Sequence, residues 1–300
     1  LEGKYKGSGK WIVNSGKNIF SNKVTIFGVG LLGASFALAL RENGLCGTIC
    51  GYGRKEENLK RAKDRGIIDE YSVDARNACK DADLILLATP VGVFNDIAAK
   101  IKDTLKQGSI ITDVGSVKGR LVYELESLMP EGVYFIGSHP IAGSDKSGID
   151  DARADLFKNA RCIITPTEKS DESAKNRVAA IWQAIGARVE LIDPFKHDEI
   201  YAVVSHLPHL VAYCLVNTVG DLNTEYIDYA GQGFKDTTRI ALSSPEMWRD
   251  ISIFNKENLI KLMSVFRENL DKIEKLLELS DAHGIEEEFL RAQGLRKKIK

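Results

Sequence analysis

The 300-residue chain is 44% apolar and 28% charged, with a formal net charge of −1 at pH 7. That length is a prior for about two domains. The charge offers no field to attract nucleic acid or an anionic membrane, and no apolar run approaches the about 20 residues of a transmembrane helix. Residues 1–22 are polar and rich in Gly and Lys, without the apolar stretch of a signal peptide, and read as an N-terminal arm or the remnant of a longer chain. Five cysteines (Cys46, Cys50, Cys79, Cys162, Cys214) show no C-x-x-C spacing. They read as free thiols of a cytoplasmic protein, mostly buried.

Residues 24–27 form a short apolar, β-branched run that predicts a buried strand. Gly28, Gly30 and Gly33 follow as G-x-G-x-x-G, and residues 34–41 predict a helix that stops near Gly44. Strand, glycines and helix in that order are the context of a dinucleotide site. Gly28 allows the turn, Gly30 lets a pyrophosphate approach the backbone, and Gly33 lets helix pack on strand. Leu31 and Leu32 complete the cofactor-binding loop, whose helix N-terminus offers N–H groups to phosphate.

Further along, strands are predicted at 48–52, 84–88, 109–113, 133–137, 161–165 and 187–192, with helices at 55–65, 93–105, 118–129 and 172–185. The alternation predicts a Rossmann-like, mostly parallel sheet domain over 23–193, covered on both faces. From Pro194 no strand-like segment remains, and 194–300 reads as an all-helical domain. An apolar helical stretch spans 196–218, interrupted by Pro208, with a short helix at 234–241 and another opened by Pro245. In the last long helix, from about Asn255, Leu259, Met263, Phe266, Leu270, Ile273 and Leu277 repeat at 4-3-4-3-4 spacing. Such a narrow seam favours a homodimer through the C-terminal helices.

Ligands bind beyond the carboxyl ends of the strands in open α/β sheets. Those ends carry the Gly loop, then Arg54 and Lys55, then Thr89 and Pro90, then Ser116, then His139. His139 lies in Gly-Ser-His-Pro, read as a turn directly after a strand, and can take a proton near neutral pH. Ser116 is a candidate to orient that imidazole or a water. In the helical part, His197, Asp198, His206 and His209 lack metal-ligand register, so no metal is expected, and His206 reads as a hydrogen-bonded core residue. Arg239, near Asp236, could grip a substrate carboxylate with two hydrogen bonds, or form a surface salt bridge.

Six stretches then fall into place: Gly28-Val-Gly-Leu-Leu-Gly-Ala-Ser35, Asp113-Val-Gly-Ser-Val-Lys118, Gly137-Ser-His-Pro-Ile-Ala-Gly143, Ser205-His-Leu-Pro-His209, Gly233-Phe-Lys-Asp-Thr-Thr-Arg239 and Met247-Trp-Arg-Asp250. With them the chain resembles the prephenate/arogenate dehydrogenases of tyrosine biosynthesis. The resemblance implies a Rossmann-like domain, a helical dimerisation domain and an active site between them. It implies oxidative decarboxylation of a cyclohexadienol, a small-molecule substrate; the charge and hydropathy already argue against a nucleic acid or membrane partner. His139 would accept the C4 hydroxyl proton with support from Ser116, and Arg239 would hold a carboxylate. His209 would lie near the substrate side chain, and Asp236 and Trp248 at the site's edge. Asp145 stands where relatives can carry Glu. After the second strand, Gly53-Arg54 occupies the place where NAD-dependent members have an acid. NADP is therefore the favoured cofactor, with NAD possible. The rival enzyme class, a β-hydroxyacid dehydrogenase or imine-type reductase, would need Lys118 or Lys235 as its acid/base. A non-catalytic NAD(P) sensor could lack His139, Ser116 or Arg239.

Overall fold

The structure is a computed structural model that describes residues 20–143 and 148–299. The expected substrate contact Asp145 and nearly all of the expected arm lie outside those residues. The chain opens with β1 (Ser21–Phe27), α1 (Leu31–Glu42), β2 (Cys46–Tyr52) and α2 (Glu56–Asp64). Val24, Ile26 and Phe27 are fully buried, which is why this run is a strand. It begins within the expected arm: Phe20 N–H donates to Leu45 O at 2.8 Å.

Next come β3 (Glu70–Ser72), α3 (Ala75–Cys79), β4 (Leu84–Leu87), α4 (Phe94–Ile101), β5 (Ile110–Asp113), α5 (Gly119–Leu128) and β6 (Tyr134–Ile141). The domain closes with β7 (Arg161–Thr165), α6 (Glu172–Ala184) and β8 (Arg188–Leu191). The strand order is β3-β2-β1-β4-β5-β6-β7-β8. All pairs are parallel except β6 with β7. The order reverses between β1 and β4, which opens a crevice beyond their carboxyl ends. One apolar core, with Phe36, Phe157 and Trp182, packs on one face of the sheet. A second, with Phe27, Phe94 and Phe135, packs on the other and also takes in Trp248 and Ile251.

β6 corrects one expectation. His139 is inside this strand, not in a turn after it. Residues 134–136 pair with β5, and residues 137–141 continue by pairing antiparallel with β7, His139 opposite Ile163. Beyond the end of β5 the strand has an open side, where Pro140 is tolerated. Asp113, at the end of β5, replaces the missing ladder by accepting from Ser138 N at 2.9 Å.

The helical part comprises α7 (Pro194–Tyr201), a π-turn (Ala202–His206), α8 (Leu207–Leu222), α9 (Gln232–Thr238), α10 (Pro245–Phe254), α11 (Lys256–Glu278) and α12 (Ala282–Arg296). Pro208 does not break the long helix. A proline ring collides with the carbonyl four residues earlier in a regular helix, and the wider π-turn just before α8 makes room. Pro194–Leu222 is thus continuous over 29 residues and by length and composition apolar enough to cross a membrane, contrary to expectation. α12 and the pair β3–α3 were not expected either. Arg239 falls in a 3₁₀ turn (Arg239–Leu242) just past α9, not within the helix.

Candidate active site

The Gly-rich turn has the shape a dinucleotide requires. Gly28 has φ +92°, and a Cβ there would meet Ala88 O at 2.5 Å. A Cβ on Gly33 would come within 2.2 Å of Gly28 O, so strand and helix pack backbone to backbone. Above Gly30 the space is open. Among the described residues no side chain caps α1 at Gly30, which leaves N–H groups available to phosphate. Thr89 Oγ1, across the crevice, is buried without a hydrogen-bond partner among the described residues. These features fit a dinucleotide. Leu31 and Leu32 are half-buried in the first turn of α1, Pro90 precedes a 3₁₀ turn, and Arg54 and Lys55 are exposed beyond β2.

Asp113 organises the next layer. Fully buried, it accepts from Gly115 N at 2.8 Å and from Ser138 N, and its carboxylate pairs with the equally buried Lys118 ammonium. The turn that carries Ser116 and the strand that carries His139 are thereby tied to one carboxylate. Lys118 N–H in turn donates to Asp198 Oδ1 at 2.7 Å.

The partner of His139 Nδ1 is His197 Nε2, at 2.8 Å, a support for the imidazole that the sequence did not suggest. His197 Nδ1 lies 2.8 Å from Asp198 Oδ1. A carboxylate accepts, so His197 donates from Nδ1 and its Nε2 is a lone pair. His139 must then donate from Nδ1, which leaves Nε2 as its basic atom. These tautomers are assigned from the network. Burial, and then the charges of neighbouring His197, Lys118 and His206, hold His139 well below its ordinary range. Burial pushes His197 down to about 2 and Asp198 up to about 6. Tyr201 packs its ring on both imidazoles, 4.9 Å from His139 and 4.5 Å from His197.

The π-turn and α8 supply a second cluster. His209 stacks on Trp248 at 3.5 Å, with its Nδ1 donating to Ser205 O at 2.9 Å. Burial lowers its pKa, and the charge of Arg239 adds to that. His206, 1% exposed, packs edge-on to Trp248 at 5.9 Å. His209, Trp248 and Arg239 are therefore neighbours. Asp236 lies on exposed α9, where Gln232 donates to it at 2.7 Å. Sequence reasoning missed the relay role of His197 and Asp198 and passed over Tyr201. His197 and Asp198 stood out only as possible metal ligands, and the structure makes them a hydrogen-bond relay.

Together the Gly-rich βα turn, the switch point and a buried histidine at the strand ends define a dinucleotide-dependent dehydrogenase with a helical second domain. The family model for the prephenate dehydrogenase nucleotide-binding domain matches residues 36–191, and that for the prephenate dehydrogenase dimerization domain matches 193–292. The chain belongs to the prephenate dehydrogenase family. It is 33% identical over 283 residues to the prephenate dehydrogenase of Bacillus subtilis (strain 168), covering 93% of this chain and 76% of that protein. It is 32% identical over 281 residues to the cyclohexadienyl dehydrogenase of Zymomonas mobilis, covering 92% and 96%. Among solved structures, prephenate dehydrogenase from A. aeolicus in complex with hydroxyphenyl propionate and NAD+ superposes with a TM-score of 0.87 at 39% identity, covering 93% of this chain and 98% of that one.

Proposed function

We propose that the protein catalyses oxidative decarboxylation of prephenate, arogenate or both, giving 4-hydroxyphenylpyruvate or tyrosine. The carrying observation is the relay Asp198–His197–His139, which leaves a neutral imidazole with its basic Nε2 beyond the carboxyl end of β5, in the same sheet that carries the Gly-rich turn after β1. His139 takes the proton of the ring C4 hydroxyl at Nε2. Its removal makes C4 a better hydride donor. When bound, the nicotinamide supplies the hydride acceptor. The electron pair of the bond from C1 to its carboxylate then enters the ring as carbon dioxide leaves, and the C4 oxygen, left as a phenolate, takes back the proton held at His139 Nε2 to become the phenol. Aromatisation drives the step forward. Arg239 grips a substrate carboxylate, with His209 and Trp248 beside it. Asp236, and Asp145 outside the described residues, complete the substrate set. Ser116 orients the nicotinamide side of the site from the turn that Asp113 holds.

The rival acid/base lysines are poorly placed. Lys118 is 1% exposed and committed to Asp113, and Lys235 is exposed on α9. We read 23–193 as the nucleotide unit and 194–300 as the helical unit, with two copies joined through the latter. NADP is the favoured cofactor and NAD an alternative, since Gly53 leaves no carboxylate to repel a 2′-phosphate. Steady-state rates with prephenate and arogenate, each paired with NAD and NADP, test the whole reading. Turnover of neither substrate would overturn it.

A further inference from the structure

At the head of α11 stands a buried side chain with no part in the chemistry above. Asn255 is 3% exposed. Its Nδ2 lies 2.9 Å from the backbone oxygen of Asp198 and 3.0 Å from His206 Nδ1, and its Oδ1 accepts from Asn258 Nδ2 at 2.8 Å. A carbonyl oxygen only accepts, so the atom that faces Asp198 must be the amide nitrogen. Its two hydrogens go one to each partner, and the amide has a single orientation.

Two consequences follow for the site. The first runs through Asp198, whose backbone Asn255 holds. The Asp198 carboxylate then fixes His197, and His197 fixes the tautomer of His139. The second runs through His206. With Nδ1 accepting, its proton sits on Nε2, which is buried with no hydrogen-bond partner among the described residues. The backbone of Ser116 is the nearby group that favours that proton.

We propose that Asn255 is a positioning residue for the reaction, one amide that sets both the relay behind His139 and the tautomer of His206 against the Ser116 turn. The inference rests on the reading of His139 as the base. Without the amide, the Asp198 carbonyl keeps only its bond from Ala202 N–H within the helix, and His206 can exchange tautomers. A base misplaced by a fraction of its working distance loses rate far more than binding. The titratable groups that face His139 are His197 and Tyr201 of α7, Lys118 ahead of α5 and His206 of the π-turn. Cys162 of β7 and Asp113, behind Ser138, complete the set.

The test uses the full chain with saturating cofactor and substrate. Asn255→Ala should fold, bind cofactor as the wild type does and change KM little, yet lose between about tenfold and hundredfold in kcat. The acid limb of its kcat–pH profile should be displaced. Asn255→Asp keeps the shape but offers only acceptors, and should lose more. Asn258→Ala removes only the bond that orients the amide and should show a smaller change of the same kind. Wild-type kcat and pH profile in a folded Asn255→Ala would overturn the proposal. Should that variant not fold, a wild-type pH profile in Asn258→Ala overturns it. His139→Asn is measured alongside: intact turnover there sinks the base itself, whereas its loss beside a normal Asn255→Ala sinks only this inference.

Discussion

His139 Nδ1 and His197 Nε2 lie 2.8 Å apart, and that contact decides which nitrogen of His139 is the base. His197 spends its own proton on Asp198 and offers a lone pair. The arrangement needs both imidazoles neutral, and burial keeps them so. A carboxylate placed directly against His139 would hold more of it as imidazolium. An imidazole in between orients the ring without adding that charge.

The first prediction concerns the base. His139→Asn should fold and bind cofactor, yet lose turnover by roughly 10²–10⁴, the usual share of general acid–base catalysis. Rapid-mixing turnover and cofactor titration check the two halves. Near-normal turnover would remove His139 from the mechanism.

The glycines of the turn should separate into folding and binding roles. A Cβ on Gly33 meets backbone at 2.2 Å, whereas one on Gly30 meets nothing within 4 Å. Gly33→Ala should therefore lower the melting temperature of the cofactor-free protein. Gly30→Ala should leave it unchanged but weaken cofactor binding, because the new methyl takes the space of the pyrophosphate. Equal behaviour in both variants would deny Gly30 its place under the phosphates.

Acid should destabilise the fold early. His197 is held down to about 2, His206 to about 4 and His139 well below its usual range, burial being the main cause in each. All three stay neutral in the folded state while the unfolded chain protonates them near pH ~6.5. Their stability contribution is full above that pH and is lost as pH falls below it, down to about 4 for His206. Asp198 has the opposite sign. Pushed up to about 6, it binds its proton more tightly folded than unfolded and offsets one histidine below that pH. Each uncompensated histidine removes up to about 1.4 kcal/mol per pH unit. Urea midpoints at about pH 7 and about pH 5 measure the slope, and a flat profile contradicts it.

What could be read from the residues follows from range. The β1–α1 turn is local: its glycines, strand and helix stand together in sequence, so strand, turn and helix were legible there. Ser116 was legible as a residue after a strand, whereas His139 was read into a turn although β6 runs past it, and the bonds that hold His139 were not legible at all. His139 and His197 are 58 positions apart, and Lys118 and Asp198 are 80 apart. Neighbours so distant leave no periodic trace. Pro140 concealed the second half of β6, because proline demotes a strand unless the strand has an open side. β3, with three residues, was too short to give a pattern.

Cofactor choice should follow the residues after β2. The nearest atoms to a Cβ on Gly53 are those of the Leu59 side chain, from 3.4 Å, ordinary van der Waals contact, so the position can take a larger residue. Arg54 and Lys55 are exposed beside it, and Glu56 and Glu57 sit in the first turn of α2, where they complement its dipole. Gly53→Asp should shift preference toward NAD by repelling a 2′-phosphate, and Arg54→Ala should weaken NADP more than NAD. The comparison is kcat/KM for both cofactors in all three proteins. A wild type that strongly prefers NAD, with an unchanged ratio in Arg54→Ala, sinks the NADP reading.

The long helices should be held by a second copy. Along Pro194–Leu222 much of the apolar surface is open to solvent, including Val203, Val204, Leu215 and Leu222. Leu207, Leu210, Val211, Cys214 and Leu215 of α8 form a groove with Met263, Phe266 and Leu270 of α11. Three of those α11 positions are the seam read from its spacing, and Met263 and Leu270 are exposed in the single chain. Such a face is costly in water, and the chain matches a domain described as a dimerization domain. Introducing Glu at both Phe266 and Leu270 would put two carboxylates into a closed apolar contact, where an unpaired charge is strongly disfavoured. The nucleotide domain lies apart from these positions, so cofactor binding should survive while sedimentation shows monomer or aggregate. An intact dimer in the double variant would place the interface on another surface.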